Sequence, residues 1–362
     1  MMCHYSSCEN GPPSWAGSER DHLDCRLVIG VIGAGAMGGA MAVQLARAGN
    51  TVTILATEFD EPFLAAHRDG KDHPALGTRL PNVVIVEHAD WPSVLPQAEL
   101  LVLAVATVGL VPTVRACAPH VPGTEIWAVA TKGFDEATRR SAHAVVAEEV
   151  GDEDRVVAVV GPSIASEIAL GVPTAVVCAS TGKASAQRVA TLLDSPRFRT
   201  YTSDDVVGVE VGAIMKNVLA IGIGMADGLA DAFEVPAMTN AKAFLFSRGL
   251  VEMAKLARAL GGRAETILGL AGAGDLFVTA LSGRNGRFGR LIGEGRTPED
   301  ALDEMNTTVE GYVNARTARE LAHEHRLDLP VVEQVAAVLY EGRPPRTAIE
   351  ALVSPPHEDE LT

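Results

Sequence analysis

The feature that most constrains this chain is a glycine-rich segment enclosed by two short apolar runs. Residues 27–32 form a β-branched run typical of a buried parallel strand, and this run leads directly into Gly33-Ala34-Gly35-Ala36-Met37-Gly38. A helical stretch and a second strand-like run over residues 51–56 follow, and Glu58 comes 20 residues after Gly38. This order of elements is the dinucleotide-binding fingerprint, so the sequence predicts a Rossmann-type βαβ unit. The candidate cofactor contacts are Gly33, Gly35, Ala36, Met37, Gly38 and Glu58.

Further apolar runs extend this unit into a larger sheet. They cover residues 83–86, 100–105, 125–130, 156–160 and 175–178, and helical stretches or turn residues separate them. Such alternation predicts a doubly wound parallel sheet. Beyond about residue 205 helical periodicity takes over, as in residues 244–260 and 307–324. We therefore expect an α/β Rossmann domain over 26–205 and a mostly α-helical domain over 206–354, with flexible tails at 1–25 and 355–362.

Composition narrows the class of protein. The chain has 362 residues, of which 47% are hydrophobic, which excludes a disordered chain and suits two domains. No uninterrupted apolar run reaches the roughly 18 residues that a membrane span requires, so no membrane insertion is expected. The net charge of −16 argues against nucleic acid as a partner. Five scattered cysteines and the lack of an apolar leader favour the cytoplasm, and Cys3, His4 and Cys8 lack a fourth metal ligand, so no metal site is predicted.

A glycine-rich helical stretch over residues 208–228 carries one lysine in apolar surroundings. Every fourth residue in it is small except Lys216, and the series reads Gly208, Gly212, Lys216, Ala220, Gly224 and Gly228. Tight helix packing explains the glycines, but it does not explain a lysine among Val211, Ala213, Ile214, Val218 and Leu219. Desolvation would lower the pKa of this amine and suit it to proton transfer near neutral pH. Lys216 is therefore the first candidate for catalysis.

Two later segments add polar groups. Gly272-Ala273-Gly274-Asp275-Leu276 is a glycine-rich turn, where Asp275 is either a helix N-cap or a functional acid, with Thr279 one helical turn beyond. Residues 283–290 hold three arginines and three glycines, which predicts either an anion site or a solvated basic turn.

Two loops follow predicted strands at the edge where α/β sheets bind ligands. Thr131-Lys132-Gly133 follows residues 125–130, and Gly161-Pro162-Ser163 follows residues 156–160. The carboxyl ends of parallel strands meet at one edge of a sheet, so Lys132 and Ser163 are placed to touch substrate or cofactor.

These motifs together resemble the NAD(P)-dependent glycerol-3-phosphate dehydrogenases, over about residues 27–352. The motifs that carry the resemblance are VIGAGAMG (31–38), ATKG (130–133), GPSIASE (161–167), MKNVLAIGIGMADG (215–228), AGAGDL (271–276), GRNGRFG (283–289) and VEGY (309–312). The resemblance implies a helical domain like the C-terminal domain of 6-phosphogluconate dehydrogenase. It also implies NAD or NADP as cofactor, a small phosphorylated substrate, a homodimer, and a supply of glycerol 3-phosphate for phospholipid synthesis.

The resemblance also assigns roles to residues. Lys216 would exchange a proton with the C2 oxygen of dihydroxyacetone phosphate during hydride transfer, with Lys132 and Asp275 as further catalytic groups. Asp275 would either position Lys216 or bind a substrate hydroxyl. The other substrate contacts would be Gly161, Ser163, Asn217, Thr279, Arg284 and Asn285. The cofactor side would add Lys132, Ala165, Arg284 and Glu310.

Three departures from the family pattern leave details open. The loop after the fourth strand reads Val105-Ala106-Thr107, and residues 229–239 lengthen a turn that is short in the family. The first basic residue after Glu58 in the sequence is His67. An acid at the position of Glu58 would repel the 2′-phosphate of NADP, which favours NAD as cofactor. Two rival functions remain: a sister reductase for another phosphorylated ketone or hydroxy acid, and a non-catalytic NAD sensor.

Overall fold

A computed structural model describes residues 28–80, 83–230 and 233–354, and the N-terminal domain in it is built on one eight-stranded sheet. The expected tails at 1–25 and 355–362, with Cys3, His4 and Cys8, lie outside the described residues. The strand order is β3-β2-β1-β4-β5-β6-β7-β8. The strands are β1 (Val28–Ile32), β2 (Val52–Leu55), β3 (Val84–Val86), β4 (Ala98–Leu103), β5 (Ile126–Val129), β6 (Val156–Val160), β7 (Thr174–Ala179) and β8 (Phe198–Ser203).

The sheet is parallel except at one pair, so the predicted fully parallel arrangement is wrong there. Strand β7 runs antiparallel to β6, with Ala158 opposite Ala179. The helix between them, Ala165–Leu170, has six residues and spans about 9 Å, too short to return the chain along β6. Strand β8 was not predicted. Phe198 is the one buried residue among its six, and an edge strand of this kind lacks a continuous apolar run.

Helices cover both faces of the sheet, as a doubly wound fold requires. Alternate residues of the strands point to opposite faces, so Val31 joins one core with helix residues such as Met41, and Ile32 joins the other with residues such as Val114. The α-helices of this domain are α1 (Ala36–Arg47), α2 (Glu61–Arg68), α3 (Trp91–Val94), α4 (Leu110–Cys117), α5 (Ala142–Val150), α6 (Ala165–Leu170) and α7 (Lys183–Leu193). Short 3₁₀ turns are His88–Asp90, Leu95–Gln97, Thr107–Gly109 and Glu153–Arg155.

The second half of the described chain packs around one long helix, α8 (Val206–Gly228). Strand β8 ends at Ser203, just before it, and the domain boundary at residue 205 stays a prediction. The remaining elements are α9 (Thr239–Ala259), α10 (Ala264–Ile267), a π-helical turn (Leu270–Gly274), α11 (Asp275–Ser282), α12 (Arg284–Gly293), α13 (Pro298–Met305), α14 (Glu310–Glu324), α15 (Pro330–Glu341) and α16 (Pro345–Val353).

Among the described residues, two helical stretches are long and apolar enough to cross a membrane by length and composition. In α8 the apolar window has a mean hydropathy of 1.8 and is 94% buried, so its composition is that of a central core helix. The stretch Ala264–Ser282 has a mean hydropathy of 1.4 and is 39% buried. The sequence of α8 contains no uninterrupted apolar run of this length, because glycines, Lys216 and Asn217 interrupt the helix.

The glycines of α8 allow other backbones to approach it closely, which confirms the packing interpretation. A Cβ at Gly212 would lie 2.6 Å from the carbonyl oxygen of Ala271, and one at Gly224 would lie 2.0 Å from that of Gly286. Gly289 of α12 approaches α8 in the same way, because a Cβ added there would lie 2.0 Å from the carbonyl oxygen of Ile221. Residues 272–276 are helical and not a turn, and residues 284–290 lie in α12, which excludes the basic-turn alternative for 283–290 and leaves the anion site as a prediction. Most of the glycines in both segments pack against neighbouring backbone.

Candidate active site

The glycine-rich loop joins β1 to α1 in a shape that accommodates a pyrophosphate. Gly33 has φ +95°, a conformation that glycine adopts without strain, and a Cβ at Gly38 would lie 1.9 Å from the carbonyl oxygen of Gly33. Gly35 is the N-cap of the 12-residue α1, and no atom lies within 4 Å of the place where its Cβ would be. The first amides of a helix have no intrahelical partner, so the open side at Gly35 fits the phosphates of a dinucleotide.

Glu58 lies in the turn after β2, with its side chain 65% exposed. Its Oε2 is 3.9 Å from Nδ1 of His88, a residue that the sequence analysis missed. His88 is distant in sequence but follows β3, the parallel neighbour of β2, so both side chains leave the same edge of the sheet. A basic group therefore does stand near Glu58, and the interpretation of this edge as purely acidic needs that correction.

The centre of the site is one carboxylate shared by two lysines. Oδ1 of Asp275 lies 2.7 Å from Nζ of Lys216, and its Oδ2 lies 2.7 Å from Nζ of Lys132. Asp275 is buried at the start of α11, and Lys216 also donates to Oγ1 of Thr279 at 2.9 Å. Sequence reasoning left open an N-cap role for Asp275, but its side-chain oxygens bind the two amines and make no cap hydrogen bond.

Burial determines the chemistry of Lys216. Desolvation lowers the pKa of its amine to about 8, and the neighbouring charge of Lys132 acts in the same direction. The Asp275 carboxylate opposes both effects but does not outweigh them. An amine with this pKa holds or releases a proton near neutral pH, as an acid–base catalyst must.

The two strand-end loops meet beside this cluster. Nζ of Lys132 lies 3.4 Å from the carbonyl oxygen of Gly161, so the loops after β5 and β6 are in contact. Gly133 and Gly161 adopt φ of +155° and +154°, which shapes both loops. The hydroxyl of Ser163 donates to the same Gly161 oxygen at 2.8 Å and so faces its own loop. Ala165 begins α6 directly after this loop.

A chain of buried amides connects α8, α12 and α14. Nδ2 of Asn285 donates to Oδ1 of Asn217 at 2.9 Å, and Nδ2 of Asn217 donates to Oε2 of Glu310 at 3.1 Å. Oδ1 of Asn285 accepts from the amide of Gly311 at 2.9 Å. Asn285 is therefore occupied by protein contacts, and its predicted contact with substrate remains a prediction.

Arg284 is an accessible cation next to this chain of amides. Its side chain is 55% exposed, 3.3 Å from Oγ1 of Thr307 and 3.7 Å from Oε1 of Glu310. It begins the ten-residue helix α12, whose N-terminus has no side-chain cap. In the described ranges 28–80, 83–230 and 233–354, no group of three His, Cys, Asp or Glu side chains is placed to hold a metal.

The glycine-rich loop has the form of a dinucleotide-binding loop, and a buried acid–base cluster lies at the edge of the same Rossmann sheet. This is the architecture of a two-domain, dinucleotide-dependent oxidoreductase. Comparison with known families makes the class specific. The N-terminal family model of NAD-dependent glycerol-3-phosphate dehydrogenase matches residues 28–186, and the C-terminal one matches residues 205–350. The chain belongs to the NAD-dependent glycerol-3-phosphate dehydrogenase family.

Relatives and solved structures agree over nearly the whole chain. A glycerol-3-phosphate dehydrogenase [NAD(P)+] of Symbiobacterium thermophilum is 40% identical over 92% of this chain and 95% of its own length. An NADP(+)-dependent glycerol-3-phosphate dehydrogenase of Archaeoglobus fulgidus is 35% identical over 87% of this chain and 96% of its own length. The crystal structure of glycerol-3-phosphate dehydrogenase from Coxiella burnetii matches with a TM-score of 0.80 and 32% identity, covering 92% of this chain and 100% of that one.

Proposed function

We propose that this protein catalyses the reversible reduction of dihydroxyacetone phosphate to sn-glycerol 3-phosphate with NADH or NADPH. The observation that carries the proposal is Lys216, a buried amine held between Asp275 and Thr279 in a chain of this family. When bound, the nicotinamide cofactor supplies the hydride that adds to C2 of the ketone.

Lys216 donates a proton to the C2 oxygen as negative charge develops there, and it accepts that proton in the reverse direction. Its pKa of about 8 suits both directions near neutral pH. Asp275 orients Lys216, because its Oδ1 accepts from that amine at 2.7 Å while its Oδ2 is held by Lys132. Lys132 contributes a second positive charge that stabilises the developing alkoxide.

Arg284 binds the phosphate of the substrate. Its guanidinium is exposed, its nearest partners are at 3.3 Å and 3.7 Å, and it lies at an uncapped helix N-terminus that favours anions. Holding the phosphate there orients the carbonyl towards Lys216, so binding energy at a remote group serves the reaction. Asn217, Asn285 and Glu310 keep α12 in place for this contact.

NAD is the preferred cofactor in this proposal, with NADP as the second. Glu58 follows β2 where the adenosine ribose binds in a Rossmann fold, and its carboxylate accepts from the 2′-hydroxyl of NAD. Its charge repels the 2′-phosphate of NADP, and His88 at 3.9 Å reduces this repulsion only when its imidazole is protonated.

We also propose that the enzyme acts in the cytoplasm as a homodimer and supplies glycerophospholipid synthesis. The free thiols of Cys117 and Cys178 suit a reducing compartment. Phe277 and Leu281 are exposed one turn apart on α11 and offer apolar surface to a second copy. Light scattering on the purified protein measures the mass of the assembly.

The deciding experiment follows the near-ultraviolet absorbance of NADH or NADPH with dihydroxyacetone phosphate, in the wild type and in Lys216→Ala. We expect oxidation of the cofactor in the wild type and a loss of at least about a hundredfold in the variant. Cofactor binding without turnover would contradict the proposal and favour a sister reductase with another phosphorylated ketone or hydroxy acid as substrate.

A further inference from the structure

A histidine outside the family motifs contacts the glycine-rich loop. His73 lies between α2 and β3, is 4% exposed, and its Nε2 is 2.8 Å from the carbonyl oxygen of Ala34. Ala34 is the second residue of the Gly33–Gly38 segment. His73 is therefore a side chain from a distant part of the chain that binds the cofactor loop directly.

The hydrogen bonds of His73 determine its tautomer. The amide of Ala75 donates to Nδ1 at 3.1 Å, so Nδ1 carries no proton. The ring proton is then on Nε2, which donates to the oxygen of Ala34. Burial, including contact with the Phe63 ring whose centroid is 4.6 Å away, lowers the pKa of His73 and favours this neutral form. The hydrogen bond to Ala34 and, more weakly, the charge of Asp60 act in the opposite direction.

The turn that carries His73 is itself well anchored. The amide of His73 donates to Thr78, and its carbonyl oxygen accepts from the amides of Leu76 and Gly77. A Cβ at Gly39 of α1 would lie 3.0 Å from Leu76 and 3.1 Å from Nε2 of His73, so the turn lies directly against α1. A fixed turn on one side and a fixed helix on the other leave the ring little freedom.

The bond to Ala34 controls the direction of the next amide. A trans peptide unit is planar, so its C=O and N–H point in opposite directions, and no cis bond occurs in the described residues. When His73 holds the oxygen of Ala34, the N–H of Gly35 must point the other way. Gly35 is the N-cap of α1, on the open side where phosphates fit.

We propose that His73 is a positioning residue for the cofactor, which holds the Ala34–Gly35 peptide so that the Gly35 amide is aimed at the pyrophosphate before binding. The inference rests on the proposed use of NAD(P). Preorganised donors bind an anion more tightly than donors that must first reorient. Loss of this bond should weaken cofactor binding without changing the acid–base step at Lys216.

Two amide side chains separate this role from a local structural one. In His73→Gln the side-chain Nε2 reaches about as far as the histidine Nε2 and can still donate to Ala34. In His73→Asn the Oδ1 replaces Nδ1 as acceptor for Ala75, but no donor reaches Ala34. His73→Phe keeps the ring against Phe63 and removes both bonds. His67→Gln is the control, because His67 stacks on the same Phe63 ring at 6.1 Å and, within the described part of the chain, its side chain has no hydrogen bond to the loop.

The measurement is the Kd of NADH by calorimetry without substrate, followed by kcat at saturating cofactor. We expect a Kd near wild type for His73→Gln and His67→Gln, a Kd about five- to tenfold higher for His73→Asn and His73→Phe, and a kcat within about twofold throughout. Equal Kd values for the Gln and Asn variants, or weaker binding in Gln alone, would overturn the proposal. If wild-type protein binds NADH but does not reduce dihydroxyacetone phosphate, the proposed function fails while the role of His73 still stands or falls on these Kd values.

Discussion

The carboxylate of Asp275 lies 2.7 Å from the amine of Lys216, and both side chains are buried. The same carboxylate also binds Lys132, so this cluster of three ionisable groups carries one negative charge for two positive ones when both amines are protonated. The excess positive charge attracts an anionic substrate and stabilises an alkoxide formed beside it. It also helps to lower the pKa of Lys216, since two buried ammonium groups repel each other.

Reduction and oxidation should depend on pH in opposite ways. Reduction needs protonated Lys216, so its kcat/KM should fall as the pH rises through about 8, whereas oxidation of glycerol 3-phosphate should rise over the same interval. Initial rates in both directions, at saturating cofactor, check this. A flat profile for both directions between about pH 6 and 10 would exclude Lys216 as the proton donor.

Asp275→Asn should reduce both activity and stability. The substitution removes the shared carboxylate from the buried Lys216 and from Lys132, whose side chain is 11% exposed, which costs about 3–5 kcal/mol of unfolding free energy. It should also lower the pKa of Lys216 further and move the pH profile of reduction towards acid. Denaturant unfolding and kcat/KM are the measurements. Asp227→Asn is the matched control, because the Asp227–Lys242 pair is about one-third exposed and should lose less than about 1 kcal/mol.

Arg284→Ala should weaken substrate binding far more than cofactor binding. Loss of a charged hydrogen bond to phosphate costs about 1.5–3 kcal/mol, which raises the KM for dihydroxyacetone phosphate about 10- to 100-fold. Arg287→Ala serves as the control, since Arg287 lies one turn further along α12 and faces a groove next to α9. Equal effects of the two variants would argue against a specific phosphate contact.

Glu58→Gln should change the choice of cofactor. Removal of the negative charge leaves His88 as the nearby ionisable partner and ends the repulsion of a 2′-phosphate. The ratio of kcat/KM with NADPH to kcat/KM with NADH should rise about tenfold. This corresponds to a change of about 1.4 kcal/mol in the relative binding of the two cofactors. If the wild type already prefers NADPH, the assigned role of Glu58 is wrong.

Gly289→Ala should destabilise the protein. The new Cβ would lie 2.0 Å from the carbonyl oxygen of Ile221, so α12 must move away from α8 at a cost of about 3 kcal/mol. Thermal unfolding measures the change. Gly274→Ala is the control for packing, because its nearest atoms lie at 3.7 Å, and its melting temperature should stay close to that of the wild type.

Local sequence patterns predicted the parts of the site that depend on local chemistry. The Gly33–Gly38 loop follows from glycine spacing beside a strand, and a lysine among apolar residues marked Lys216. The reversal of β7 was missed because strand direction depends on the length of the connection, which apolar patterning does not report. The helical structure of the arginine and glycine segment was missed because α8, which its glycines contact, is more than 50 residues away in sequence. His73 and His88 were missed for the same reason: their partners are set by the tertiary fold.

The close contact between α8 and α12 has a consequence for substrate length. Lys216 is on α8 and Arg284 begins α12, and the two helices meet through backbone atoms at Gly224 and Gly289. The separation between the backbone positions that carry Lys216 and Arg284, the proposed proton donor and phosphate contact, is therefore set by main-chain contact. Substitutions in the pocket wall can alter shape or polarity, but they leave this backbone spacing in place. A variant selected for a longer or shorter phosphorylated ketone would have to change the register of these two helices.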